Sequence, residues 1–490
     1  MNLHFFEEPE LEFGTENHID IKFGLMQHGP LDYNVPSAPR QIRVGIVGTD
    51  QTIEGICGWL EKCRNEIPAK QSKQPNLFPR FPGFNKNEGF QCELVFDSQL
   101  QRTLPPADLR KILQGGAPNR IVKDAVQLYL KELVYLQENT NADVLVCAHP
   151  IELLNAIETV ESLENGNDGP SKMDEDDDGP IRGGKLVFHD MLKAEAMNLI
   201  QKPLQIVRPP TYDDKMRRQQ KRKPTKIITL QDEATRAWNF HTALYYKAGG
   251  VPWRLVRDPA NLTTCFVGIS FYYSLDRENM MTSMAQVFNQ RGEGVIVRGG
   301  IAIISQEDRQ AHLQKADAYA LLKKALERYH DEHKNWPARG VLHKSSSFSK
   351  DECDGFFEAI DEKDIGYHDF VSVTSGSSRL FRHGVYAPLR GTMLTLEEKQ
   401  HILYTRGSVD FYQTFPSLYI PTPRLIRCEE TTASPIHLAQ EILALTKMNW
   451  NNTQFDGALP ITLRAAYQVG LILRYVPEGG RVEAQYRYYM

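Results

Sequence analysis

The 490-residue sequence predicts a mixed α/β protein built on two different sheets. In the first half, short apolar segments alternate with segments of helical periodicity, which is typical of a parallel sheet covered by helices. In the second half, three strand-like segments precede the first helix, so its strand order differs. A segment rich in glycine, proline and acid separates parts of the first half and has the composition of a loop.

The elements of the first half follow from their apolar patterns. Two buried strands are expected at 41–49 and 142–150, and PLQIVRP at 203–209 reads as a third. The strands alternate with helices, and such an order indicates a Rossmann-like sheet. Helices are predicted at 53–63, 121–137, 151–163 and 189–200.

Gly45 and Gly48 do not indicate a dinucleotide site. That motif needs GxGxxG, so that the backbone can approach a pyrophosphate at a helix N-terminus. Only GxxG is present here, with unsuitable flanking residues. Nicotinamide and flavin binding are therefore not expected.

Residues 161–185 are predicted to be a disordered loop. They combine glycine, proline and acid with almost no apolar side chains, so they cannot bury enough surface to offset their ordering entropy. A regulatory acidic tether remains an alternative. The net charge of −5 also means that an anion-binding surface must be a local groove.

The composition is that of a cytoplasmic globular protein. No apolar run approaches the roughly 20 residues that span a bilayer, and the first residues lack the pattern of a secretory signal. The seven cysteines form no CxxC pair, so reduced thiols are expected. We therefore expect neither disulfides, nor a zinc site, nor a membrane partner.

The second half has the order of a ribonuclease-H-like domain. Strands are predicted at 263–273, 283–290 and 294–300, followed by a long amphipathic helix at 307–333. A strand at 340–344 and a helix at 350–360 complete the βββ–α–β–α order, and a last helix is expected at 460–474.

Several segments together resemble one protein family. They are VFHDMLKAEAM, PLQIVRP, YYKAGGVPW, CFVGIS, LTKMNW, LPITLRAA and the terminal QYRYYM. In this order they resemble the MID–PIWI chain of a short prokaryotic Argonaute. The resemblance runs along the whole chain apart from the acidic segment. It implies a MID domain at 1–225 and a PIWI domain at 226–490.

Four residues are candidates for binding the 5′-phosphate of a guide strand. His189 and Lys193 are four residues apart and share one helical face. The resemblance places both in a phosphate pocket, with Gln205 from the following strand and Lys247 from the PIWI side. Two alternatives need no ligand: a solvated helix face, and a lysine that stabilises the C-terminus of its helix before Gly249.

The C-terminus is a candidate metal ligand. The chain ends in aromatic residues and Met490, whereas most termini fray. The resemblance implies that the Met490 carboxylate lies between the domains and helps to hold Mg²⁺ at the guide 5′ end. The alternative is an apolar tail that only packs on the sheet.

The cleavage site expected of an active PIWI domain is degenerate. Two-metal nucleases hold their ions, roughly 3.5–4 Å apart, with several acidic side chains. At the three positions that the resemblance identifies, this chain carries Ser270, Ser345 and Tyr467. Asp276 and Asp351 are too far along the chain to replace them without rebuilding the site. We therefore expect a chain that does not cut.

The basic run at 215–226 has two interpretations. It is either a solvated linker or part of a duplex channel that makes salt-dependent phosphate contacts.

The resemblance implies a small 5′-phosphorylated guide, expected to be RNA, and a complementary single-stranded DNA target in prokaryotic defence. It also implies a heterodimer with an APAZ-domain effector protein, sirtuin-like or TIR-type. Two rivals remain open: a guide-dependent nuclease that uses relocated acids such as Asp276 and Asp351, and a scaffold that binds only its protein partner.

Overall fold

The computed structural model describes residues 2–161, 186–213, 231–256, 262–287, 294–384, 387–415, 419–477 and 479–490. The acidic segment beyond residue 161 and the basic run at 215–226 lie outside these ranges, so both interpretations stay predictions. The predicted fold class, two α/β units with different sheets, is confirmed.

The strands are numbered along the chain. They are β1 (Asn2–Phe5), β2 (Leu11–Glu12), β3 (Asn17–His18), β4 (Gln41–Gly48), β5 (Glu93–Val95), β6 (Gln101–Thr103), β7 (Val144–Ala148), β8 (Leu204–Val207), β9 (Arg254–Leu255), β10 (Thr264–Tyr273), β11 (Met280–Val287), β12 (Gly294–Ile304), β13 (Ala311–His312), β14 (Arg339–Lys344), β15 (Tyr367–Ser375), β16 (Thr392–Glu397), β17 (Gln400–Leu403) and β18 (Arg424–Thr431).

The helices of the described residues are numbered in the same way. They are α1 (Ile21–His28), α2 (Asp50–Lys62), α3 (Pro106–Leu113), α4 (Pro118–Asn139), α5 (Ile151–Glu161), α6 (Phe188–Leu199), α7 (Pro209–Tyr212), α8 (Glu233–Lys247), α9 (Lys315–His333), α10 (Lys350–Asp361), α11 (Pro435–Leu445) and α12 (Ile461–Leu473).

The first sheet is parallel, as the alternation of strands and helices predicts. Its order is β5-β4-β7-β8, with β6 also paired to β4, and every pairing is parallel. Strands β4 and β7 are almost entirely buried, since helices cover both of their faces. The carboxyl ends of β7 and β8 lead towards α5 and α7, and α6 precedes β8.

The second sheet has ten strands in the order β1-β16-β17-β18-β15-β14-β10-β11-β12-β13. Its centre is ribonuclease-H-like: β10, β11 and β12 are antiparallel neighbours, and β14 and β15 continue parallel to β10. Helices α9 and α10 cover one face, with Leu322, Leu326 and Phe356 in their core. Helix α12 covers the other face so closely that a Cβ on Gly268 would lie 2.2 Å from the Thr462 carbonyl oxygen.

The two ends of the chain connect the two units. Strand β1 pairs with β16 of the second sheet, although it lies in the range predicted for the first domain. At the other end, Ile296 of β12 donates to the Ala484 carbonyl oxygen (2.7 Å), and Tyr488 donates to the Gln201 carbonyl oxygen (3.0 Å) after α6. The last seven residues therefore contact both units.

Several predicted elements have different bounds, among them the strand predicted at 283–290, which is β11 at Met280–Val287. The helix predicted at 307–333 begins at Lys315, because the preceding residues form a turn and strand β13, with Arg309 at φ 59°. Strand β12 does not end at Gly300 but continues to Ile304. Among the described residues, no helix is both long and apolar enough to cross a membrane.

Candidate functional site

Helix α6 places His189 and Lys193 at the junction of the two units. Its N-terminus is anchored from both sides: the Val187 amide donates to the Tyr475 hydroxyl (2.9 Å), and Phe188 packs edge-on against Tyr129 (ring centroids 5.5 Å apart). The i, i+4 spacing then puts His189 and Lys193 on one helical face, as predicted.

Lys193 lies inside the protein beside the C-terminus. Its side chain is among the largest that are fully enclosed. The ammonium donates to the Tyr489 carbonyl oxygen (3.3 Å) and to the main-chain oxygen of Met490. One cation of the predicted pocket therefore contacts the terminal carboxylate directly.

Lys247 and Gln205 meet between the two units. Lys247 is the last residue of α8, which ends because Gly249 adopts φ 95°. Gln205 lies in β8 of the first sheet. The buried Lys247 ammonium donates to the Gln205 amide oxygen, so this contact joins the two units.

The two buried lysines influence one another. Burial lowers the pKa of Lys193 to about 7, although Asp190 and Cys147 act in the opposite direction. Burial lowers the pKa of Lys247 well below its ordinary value, and the charge of Lys193 lowers it further. The thiol of Cys147 lies near both amines, and burial raises its pKa to about 12.

Lys247 has less negative charge beside it than Lys193 has. Lys247 bonds an amide oxygen instead of a carboxylate, whereas Lys193 bonds the terminal carboxylate and has Asp190 nearby. Buried ammonium groups are costly unless they are paired. The Lys247 amine is therefore complementary to an added anion, and a phosphate dianion beside it could also accept from Lys193.

His189 lies on the same face of α6 as Lys193. Its side chain is 42% exposed, and Nδ1 lies 2.8 Å from Oδ1 of Asp190. Burial of the rest of the ring lowers its pKa, and Lys193 lowers it further. The structure thus brings Lys193, Lys247 and the half-buried Gln205 together, and His189 lies partly exposed one helical turn from Lys193.

The C-terminal residues are packed in place. Tyr486, Tyr489 and Met490 are buried, and the Tyr489 hydroxyl donates to the Glu483 carbonyl oxygen (2.8 Å). The terminal carboxylate is a hard oxygen donor of the kind that Mg²⁺ prefers. The described residues contain no group of three His, Cys, Asp or Glu that could hold a metal ion. The terminal carboxylate would therefore supply one ligand to Mg²⁺, and phosphate oxygens of a bound strand would supply the others.

The three positions that the resemblance identifies as cleavage sites lie near one another, around β10 and α12 of the second unit. Ser270 is buried opposite Ser283, whose hydroxyl donates to the Ala466 carbonyl oxygen (2.8 Å), one residue before Tyr467. The Ser345 amide donates to the Ile269 carbonyl oxygen (3.2 Å), one residue before Ser270. Asp276, by contrast, bonds within its own exposed turn after β10.

Sequence reasoning missed Asp190 and Cys147. Asp190 directly follows His189 in the first turn of α6, where a carboxylate is favoured by the helix dipole. Its position beside a candidate pocket residue was the available signal. Cys147 had no such signal, because β7 reads as a uniformly apolar strand.

No protein-family model and no curated protein matches the chain. Among solved structures, it is similar to the Clostridium butyricum Argonaute bound to a guide DNA (5′ deoxycytidine) and a 19-mer target DNA, with a TM-score of 0.63 and 15% identity. The match covers 98% of this chain and 54% of that one, so the chain spans about half of its neighbour's length. The protein therefore shares, over nearly its whole described length, the fold of part of an Argonaute.

Proposed function

We propose that this chain binds the 5′-phosphorylated end of a short guide strand in the cleft formed by His189, Lys193, Gln205 and Lys247. The observation that supports the proposal best is the burial of Lys247, which bonds an amide oxygen and, among the described residues, no carboxylate, close to the buried Lys193. A terminal phosphate supplies the missing charge. Base pairing by the guide then selects complementary nucleic acid, while the protein holds its backbone.

A phosphate would also organise the junction between the two sheets. Lys193 and His189 come from α6 of the first unit, and Lys247 comes from α8, which leads into the second. A dianion shared by these groups accepts charge-assisted hydrogen bonds from each of them. Mg²⁺, if bound beside the Met490 carboxylate, would neutralise further phosphate charge of the guide.

The guide and the partner follow from the resemblance. We propose an RNA guide and a DNA target, whereas the structural neighbour holds a guide DNA. From the same resemblance we also propose a heterodimer with an APAZ-domain effector protein, sirtuin-like or TIR-type. Target binding would then favour an effector-active assembly by shifting its population. The proposed setting is prokaryotic immunity.

Nucleic acid that co-purifies with the protein tests this function. We expect the co-purified nucleic acid to be short strands whose 5′ ends can be labelled by kinase only after phosphatase treatment. RNase and DNase digestion of the same extract identifies the guide as RNA or DNA. Recovery of no short 5′-phosphorylated strand, even from the complex with its protein partner, would favour the scaffold alternative.

We further propose that the chain does not cut its target. The support is the chemistry at the degenerate positions: two serines and a tyrosine offer no carboxylate or imidazole where two metal ions would have to be held. The expected result is an intact target after incubation with guide and Mn²⁺. A guide-dependent product that disappears in an Asp351→Asn variant would favour the relocated nuclease.

The C-terminus provides a separate prediction. Lys193 bonds the main-chain oxygen of Met490, so a short peptide added after Met490 removes the terminal charge and crowds the cleft. We expect the affinity for 5′-phosphorylated strands to fall at least about tenfold, the size of one charge-assisted hydrogen bond. The control is the same peptide at the N-terminus. Unchanged affinity would remove this role of the C-terminus.

A further inference from the structure

An acidic residue lies beside Lys193 of the proposed phosphate site. Asp190 follows His189 in the first turn of α6, and its side chain is only 14% exposed. Its Oδ1 lies 2.8 Å from Nδ1 of His189. A carboxylate repels a phosphate at short range, so its place in this cleft calls for a physical reason.

The contact with Asp190 determines which ring nitrogen of His189 is available to a ligand. A neutral imidazole has one N–H donor and one acceptor nitrogen. The carboxylate of Asp190 can only accept, so it holds the proton on Nδ1 and leaves Nε2 as the acceptor. Nε2 must therefore gain a proton before it can donate to a phosphate oxygen.

The charges around His189 oppose that protonation in the free protein. Lys193 on α6 and Arg208 after β8 both disfavour an imidazolium, and Asp190 favours it. Burial and Lys193 together hold the pKa of His189 below its ordinary value. The ring is therefore mainly neutral at pH 7 until a phosphate adds its negative charge beside it.

We propose, on the basis of the function proposed above, that Asp190 is a positioning residue of the phosphate cleft. It holds Nδ1 of His189, so that Nε2 is the nitrogen offered to the phosphate. It also provides the countercharge with which His189 becomes an imidazolium when the phosphate binds. Asp190 thus acts through His189 and does not touch the ligand.

The sign of the pH dependence follows from this role. The bound state holds at least one proton more than the free state, on His189 and, in the same pH range, on Lys193, so binding of the phosphate is strengthened as the pH falls from 8.5 to 6.5. Below about pH 6 the phosphate itself begins to lose its second charge, which reverses the trend. The ratio of the affinities for 5′-phosphate and 5′-hydroxyl strands isolates this contribution from the rest of the strand.

The experiment measures that ratio between pH 6.5 and 8.5 for the wild type, Asp190→Asn, His189→Gln and the double variant. We expect Asp190→Asn to lower the ratio at pH 7.5 by about three- to tenfold, since one pKa unit corresponds to a factor of ten. In the Asp190→Asn variant, the affinity ratio should also begin to rise only at a lower pH than in the wild type. In the His189→Gln background, Asp190→Asn should change the ratio less than about twofold, because residues that act through one another are not additive.

Glu195→Gln is the matched control, because it removes one negative charge from the same helix outside the cleft. It should leave the pH profile unchanged. An Asp190→Asn profile identical to the wild type, or an equal loss with and without His189, would overturn the role of Asp190 while leaving the phosphate site intact. A wild type that does not distinguish the two strands would instead reject the proposed function itself.

Discussion

Lys247→Met is expected to abolish most of the preference for 5′-phosphorylated strands without destabilising the protein. Hydrogen bonds to charged groups contribute about 1.5–3 kcal/mol, so the affinity should fall roughly 10- to 100-fold. Methionine has a similar length and places no charge in the cleft. The free energy of unfolding should stay the same or rise, since an ammonium with no carboxylate partner is removed from the interior.

The stability measurement separates a binding lysine from a structural one. Lys447 is also buried, but it bonds the Pro9 and Ile19 carbonyl oxygens (2.6 Å each) and the carboxylate of Glu8 (2.9 Å). Lys447→Met should therefore lower the denaturant midpoint, whereas Lys247→Met should not. If Lys247→Met destabilises the protein and leaves the strand preference intact, Lys247 belongs to the structure and not to a ligand site.

Among these substitutions, Glu8→Gln is expected to lower the free energy of unfolding most. Glu8 is the shared counterion of two buried cations, Arg390 and Lys447, both 2.9 Å away. Without its charge, both cations remain inside the protein, at a cost of about 3–5 kcal/mol. The N-terminal segment should loosen first, because this cluster ties it to the second sheet. Denaturant unfolding measures the loss, and Glu7→Gln at the exposed neighbouring position is the control.

The same carboxylate predicts a dependence on pH. Burial alone raises the pKa of Glu8, but Arg390 and Lys447 outweigh it and hold the pKa below its ordinary value near 4.5. The stabilisation is therefore complete above about pH 4.5 and is lost as the pH falls through the lowered pKa. The wild type should lose this contribution in acid, and Glu8→Gln should not. Parallel acid curves for the two proteins would contradict the assignment.

Local sequence patterns predicted the elements better than their connections. The apolar periodicity placed α10 and α12 within one residue of their observed ends. It extended α9 too far towards its N-terminus, because the acidic residues of the turn before β13 resemble a helix start. It could not show that β1 pairs with β16, because that pairing joins residues almost 400 positions apart. Gly299 and Gly300 suggested the end of a strand. They lie instead within β12, where the lack of a side chain allows close contact with Thr282 and Asp317.

For the candidate site, too, local sequence patterns did not show the contacts between residues far apart in the chain. Spacing alone put His189 and Lys193 on one helical face, but only the resemblance joined them to Gln205 and Lys247. The contact of Lys193 with Met490 links residues 297 positions apart, and no periodic pattern encodes it. Asp190 was not predicted, because a carboxylate in the first turn of a helix is common. Its contact with His189 is evident only in the structure.

The most direct test of the central claim compares one short strand with and without its 5′-phosphate. Binding to the wild-type chain is measured by fluorescence anisotropy at fixed salt, for RNA and for DNA of the same sequence. Two or more charge-assisted hydrogen bonds predict an affinity at least about 100-fold higher for the phosphorylated strand. Equal affinities for the two strands would contradict the account.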